Sequence, residues 1–166
     1  MALATRFDLR VTSNLTQALD LLTATAPLVY GTQIDMATGT GLGLADMQWS
    51  DTRTLAPSAT EDLDLAGSLT GPLGTVLTFA RVKAVLVKAA LANANNVVVS
   101  RAAAGIPLFT AASDSLPVKP GGLFLWVAPD ATGVVVTPTT ADSITVTNSA
   151  GGTSVTYDVI VIGASA

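Results

Sequence analysis

Along most of this chain apolar and polar residues alternate with a period of two, the signature of strands with one wet and one buried side. In "RFDLRVT" Phe7, Leu9 and Val11 alternate with Arg6, Asp8 and Arg10. "MQWS" places Met47 and Trp49 on one face, and "EDLDL" sets Leu63 and Leu65 against Asp62 and Asp64. Further short strands are predicted in "NVVVS" from Asn96, "LPVKP" from Leu116, "GLFLWVA" from Gly122, "GVVVT" from Gly133, "SITVTN" from Ser143 and "SVTYDVIVI" from Ser154. Between them Pro120-Gly121-Gly122, Pro129-Asp130, Thr139-Thr140-Ala141-Asp142 and Ser149-Ala150-Gly151-Gly152 supply turn chemistry. Strands at roughly ten-residue spacing with such punctuation read as an all-β fold, an antiparallel β-sandwich.

Two stretches also fit a helix. "LTFARVKAVLVKA", Leu77 to Ala89, has alanines that permit one, but Val82, Val85 and Val87 and the preceding Gly71-Pro72 and Gly74 favour a strand. "NLTQALDLL" is the one segment predicted as helix: Asn14 serves as cap with Gln17 at the third position, and Leu15, Ala18, Leu19 and Leu22 share a face. No repeat or low-complexity linker divides the chain. Its 166 residues are expected to form a single domain over 1–166, with 1–24 as an extended N-terminal arm.

The final stretch, "YDVIVIGASA", has the look of the first strand and turn of a dinucleotide-binding unit. That chemistry needs further glycines at G-x-G-x-x-G spacing and a helix whose N–H groups bind the pyrophosphate. Gly163 is followed here only by Ala164, Ser165 and Ala166. The segment therefore reads as a strand, with Val155, Tyr157, Val159 and Val161 on one face and Thr156, Asp158, Ile160 and Ile162 on the other. Its wet end is expected near Asp158, its covered end near Ile162, its sheet neighbour at "SITVTN", and alanine at Gly163 is expected to be nearly harmless unless that glycine has positive φ.

Hydropathy adds a second layer. The mean hydropathy of +0.55 is high for a small domain, yet the long uncharged stretches, such as Ala66 to Ala80, are broken by Gly, Pro, Ser and Thr. No segment supplies the ~20 apolar residues of a spanning helix, and Arg6 and Asp8 interrupt any export signal; no membrane partner is expected. Several strands are apolar on both faces, at 84–87, 97–99, 123–127, 134–136 and 159–162. An antiparallel sheet with a free outer side should alternate, so these runs call for cover from another subunit, a docking partner or the N-terminal arm.

Candidate chemistry is sparse. The chain has no cysteine and no histidine, which removes thiolate sites and the commonest general base and zinc ligand. Twelve acidic against eight basic residues give a net charge of −4, without the basic footprint of a nucleic-acid binder. Gly39, Gly41 and Gly43 lack the G-K-[ST] ending of a phosphate loop and read as a loop between strands. Glu61, Asp62 and Asp64 lack calcium-loop spacing and read as a solvated strand edge. Asp51 and Arg53 read as a structural ion pair, with no nucleophile or second base beside them. Trp49, Trp126, Tyr30 and Tyr157 are the residues that would stack on a sugar if the chain bound one. No catalytic, cofactor-binding or metal-binding residue is assigned, and the chain is expected not to be an enzyme.

The segments "FARVKAVLVKAA…NNVVVS", "VKPGGLFLWVAPDATG" and "ADSITVTNSAGGTSVTYDVIVIG", with a weaker echo in "WSDTRTLA…EDLDLAG", resemble small virion structural proteins of tailed bacteriophages, notably capsid decoration (cement) proteins with β-sandwich folds. The resemblance spans Leu77 to Gly163 and rests on the Pro-Gly-Gly turn, the Pro-Asp-x-x-Gly turn and the closing strand. It implies a jelly-roll-like sandwich, made in the host cytoplasm, that binds the major capsid protein on the outer head surface as a homo-oligomer, with a trimer expected. Tail, head-fibre and adaptor components are similar, and a carbohydrate-binding module stands as a further alternative.

Overall fold

A computed structural model describes residues 2–166, and among them there is no helix. None is therefore long and apolar enough to cross a membrane. The chain begins with two long strands, β1 (Thr5–Ala18) and β2 (Thr23–Met36), paired only with each other. The body follows: β3 (Met47–Leu55), β4 (Thr60–Asp64), a small hairpin of β5 (Ala66–Thr70) and β6 (Val76–Thr78), then β7 (Arg81–Ala89), β8 (Val97–Ser100), β9 (Ser115–Val118), β10 (Leu123–Val127), β11 (Val134–Val135), β12 (Ser143–Asn148) and β13 (Val155–Ala164). One main sheet runs β10-β7-β13-β3, with β11 also joined to β7; the other runs β4-β12-β8-β9. Every pairing of these strands is antiparallel.

The two main sheets share one core. Val85, Val87, Tyr157, Val159 and Val161 of the first meet Leu63, Val97, Val99, Ile144 and Val146 of the second in one buried apolar cluster. Period two does this work in β13: Val155, Tyr157, Val159 and Val161 are buried while Asp158 and Ile160 are exposed, and the outer row closes again at Ile162. The expected faces of that strand, its wet end and its covered end all stand.

Three expectations are corrected. The segment Asn14–Leu22 is not a helix. It is the end of β1 and a tight turn in which the Leu19 N–H donates to the Leu22 carbonyl at 2.8 Å. A nine-residue helix is marginal in water, whereas the extended form pairs Asn14 with Pro27 and Ala18 with Thr23. Pro27 is no obstacle, because both strands of a two-stranded ribbon are edges and an outward-facing N–H is not needed. The strand expected from Leu77 to Ala89 is broken at Phe79–Ala80, where Phe79 turns into the core and the Phe79 and Ala80 N–H groups donate to Leu65 and Ala164 carbonyls. The neighbours of β13 are β7 and β3, not "SITVTN", which lies in the other sheet between β4 and β8.

Gly163 corrects a fourth. Its φ is not positive, yet it sits where the β13–β7 register shifts, between Ile162 and Gly163. A Cβ there would run into the Arg81 carbonyl oxygen and lie 3.1 Å from Phe79 Cε1. The glycine is needed for close backbone approach, without any nucleotide. Gly163→Ala is expected to cost about 2–3 kcal/mol, roughly 5–10 °C in Tm by calorimetry; an unchanged Tm would show that the bulge yields to the methyl group.

Candidate functional site

The longest uncommitted surface is the β1–β2 hairpin. From Asp8 to Gln33 every residue is exposed, and at ~3.4 Å per residue its 14-residue strands extend about 45 Å. Directly opposed residues of an antiparallel pair project to the same side, so the register assigns its two faces. Phe7 with Ile34, Leu9 with Thr32, Val11 with Tyr30, Ser13 with Leu28 and Leu15 with Ala26 form one, nearly all apolar. Arg6 with Asp35, Asp8 with Gln33, Thr12 with Val29 and Thr16 with Thr25 form the other. On this polar face Arg6 Nε lies 2.8 Å from Asp35 Oδ1, and the guanidinium holds that carboxyl below its ordinary pKa.

At its base the apolar face is seated. Phe7 and Ile34 pack on a second buried cluster formed by Met36, Ala45, Ala84 and Ile162, with Val127 beside it. Ala84, Ile162 and Val127 are cross-strand neighbours in one row on the outer face of the first main sheet. The glycine loop after β2 locks this base: Ala37 N–H donates to Gly43 O, Ala45 N–H to Ala37 O, and Gly43 N–H to Pro129 O at 2.7 Å. Gly43 has φ 65°, a left-handed conformation suited to glycine. The Gly39–Gly43 segment is thus a connecting loop, as read from the sequence.

One row along the same sheet the cover ends. Ile160, Leu86 and Leu125 are aligned across β13, β7 and β10, followed by Asp158, Lys88 and Leu123. Ile160 is 38% exposed, Leu125 36% and Leu123 56%. Of the runs expected to need cover on both sides, this face is therefore covered by the arm at one end and open at the other. A separate groove of about 560 Å³, lined by Leu3, Asp46, Met47, Leu73, Val76 and Leu77 among others, lies beside the β5–β6 hairpin.

The polar candidates are tied into the framework. Arg53 places Nη1 3.1 Å from Asp51 Oδ2 and Nη2 2.6 Å from Glu61 Oε2, so the Asp51–Arg53 ion pair is present and extends to the second sheet. The hydroxyl of fully buried Tyr157 donates to Glu61 Oε1 at 2.7 Å, occupying the other carboxylate oxygen. Burial, reinforced by Glu61, pushes the Tyr157 phenol well above its ordinary pKa, and the Glu61 hydrogen bond raises Arg53. Asp62 accepts from Thr145 Oγ1 and Asp64 from the Ala66 N–H and Ser68 hydroxyl, so the three acidic residues point to different partners. Among the described residues no group of acidic side chains is gathered to hold a metal.

Lys83 was not singled out in the sequence, although a lysine inside "FARVKAVLV" is a visible irregularity. It is buried, its ammonium donates to the Asp130 carbonyl under the Pro129–Gly133 turn, and burial lowers its pKa. The aromatic candidates disperse: Trp49 and Tyr157 are in the core, Trp126 packs partly buried against it, and Tyr30 stands exposed on the arm. Compared with known proteins, the chain matches no family model, no curated sequence and no solved structure.

Proposed function

We propose that this chain is a non-enzymatic virion structural subunit that decorates the outer surface of a tailed-phage head and reinforces contacts between its capsid proteins. The observation that carries the reading is the hairpin: a long arm whose apolar face is open to solvent beyond its base. A two-stranded ribbon is at best marginally stable alone in water, so such an arm is useful to a protein that works covered by neighbours. The open row on the body sheet makes the same demand.

The body is read as a jelly roll, the sandwich common in capsid and lectin domains. Strand order supports this. With β1, β2, β5, β6 and β11 set aside, the remaining strands lettered B to I in chain order run G-D-I-B in one sheet and C-H-E-F in the other, and each connection between successive letters from B to F passes from sheet to sheet or turns in the second. The dispersed aromatics favour assembly over sugar stacking. A net charge of −4 suits the outside of a head better than its DNA-filled interior. A subunit that binds only the assembled shell stabilises it by mass action, about 4 kcal/mol per site at a thousandfold excess over Kd.

Electron microscopy of the native particle tests the reading. Density fitting the body and arm on the outer head surface is the expected result, with particles lacking the chain losing DNA at lower temperature. Density at the neck or tail would replace decoration by a tail or adaptor role, and absence of the chain from purified particles would overturn the virion reading.

A further inference from the structure

We propose that the hairpin of each copy lays its apolar face on the outer face of the β10-β7-β13-β3 sheet of a second copy, over Leu86, Leu123, Leu125 and Ile160. This rests on the reading of the chain as an assembling subunit, and it specifies the surfaces through which copies join.

The chain itself provides the template. Phe7 and Ile34, on the arm's apolar face, already rest on the Ala84–Ile162–Val127 row of this sheet. The next row, Leu86–Ile160–Leu125, lies about 7 Å further along the strands, is equally apolar and has no cover within the chain. The rest of the arm presents Leu9, Val11, Leu15, Leu28 and Tyr30, the same kind of surface, and leaves it in solvent. Both surfaces lack charge until Lys88 and Asp158, which stand opposite each other in the register at the far row. Each chain thus carries both halves of one apolar contact, the situation in which a repeated head-to-tail interface or a reciprocal exchange satisfies every copy.

The absence of cysteine makes the contact directly testable. Val11→Cys and Leu125→Cys are made in separate preparations of the full chain, mixed, and joined with a short bismaleimide. The expected product is a mixed dimer linked arm to sheet, in preference to dimers of Val11→Cys alone. In parallel, Leu125→Asp is expected to leave circular dichroism unchanged and, in light scattering, to raise the dissociation constant of the oligomer at least about 100-fold, because the contact would bury an unpaired carboxylate. A parent chain that is monomeric at micromolar concentration, crosslinks only from arm to arm, or a Leu125→Asp protein that associates like the parent would each overturn the proposal. All of these use purified chain, so they are read independently of whether the protein is found on a phage head.

Discussion

Val161→Asp should yield no folded protein, whereas Ile160→Asp, one residue away, should yield folded protein with a melting temperature near that of the dissociated parent. Val161 is completely buried, lies opposite Val85 of β7 and Trp49 of β3, and faces the shared core of the two main sheets. The Arg53–Glu61–Tyr157 polar network is built around a residue two rows away on the same strand face and is already paired. A carboxylate at 161 therefore loses hydration without gaining a partner, at a cost of several kcal/mol, on top of the lost burial of the valine. Total stability of a domain is ~5–15 kcal/mol, so the sum removes most or all of it. Ile160 points the other way and is 38% exposed, and its carboxylate would remain in water. Circular dichroism and calorimetry on the two variants decide the matter. A folded Val161→Asp protein would mean that the centre of the core admits water, and loss of fold in Ile160→Asp would mean that the outer face is part of the core.

The contrast between those neighbouring residues was legible in the sequence, and so were most body strands, because period two is a local property written into each segment. What was not legible is which strand lies beside which. β13 pairs with β3, about a hundred residues earlier in the chain, and β12 goes to the other sheet although it immediately precedes β13. Local pattern carries nothing about such partners. The break at Phe79–Ala80 was hidden for a similar reason: "LTFARVKAV" holds no Gly or Pro to mark a stop, and the contacts of Phe79 with Gly163 and Leu65 turn the chain there.

The arm shows how a pattern can be present and still be misread. "NLTQALDLL" fits a helical face through Leu15, Ala18, Leu19 and Leu22, and its extended alternative is weakened by Ser13 and Gln17 on the apolar side. The deciding signal lies downstream: Ala24, Ala26, Leu28, Tyr30, Ile34 and Met36 alternate with mostly polar or turn residues, interrupted by Val29 and Thr32, and supply a partner strand of matching length. The candidate surface was similarly half visible. Excess apolar composition and two-sided apolar strands announced a face in need of cover, but its position depends on the register of β13, β7 and β10 and on how far the arm reaches.

Because the arm contributes nothing to the body core, shortening it should separate association from folding. Every residue from Asp8 to Gln33 is exposed, and no buried residue lies in that range. Phe7 and Ile34 are directly opposed, so their backbones stand ~5 Å apart. An Asn-Gly pair in place of residues 8–33 closes that gap as a two-residue hairpin turn and keeps Phe7, Ile34 and Met36 on Ala84 and Ile162. The shortened chain is expected to remain folded, with a Tm within a few degrees of that of the dissociated parent, since the core described above is untouched. It is also expected to be monomeric by light scattering at concentrations where the parent associates, and to remain so at high salt, because the lost contact is apolar and is little affected by screening. A shortened chain that unfolds would place the arm within the stability of the body. One that folds and still associates like the parent would leave the arm without the role assigned to its apolar face.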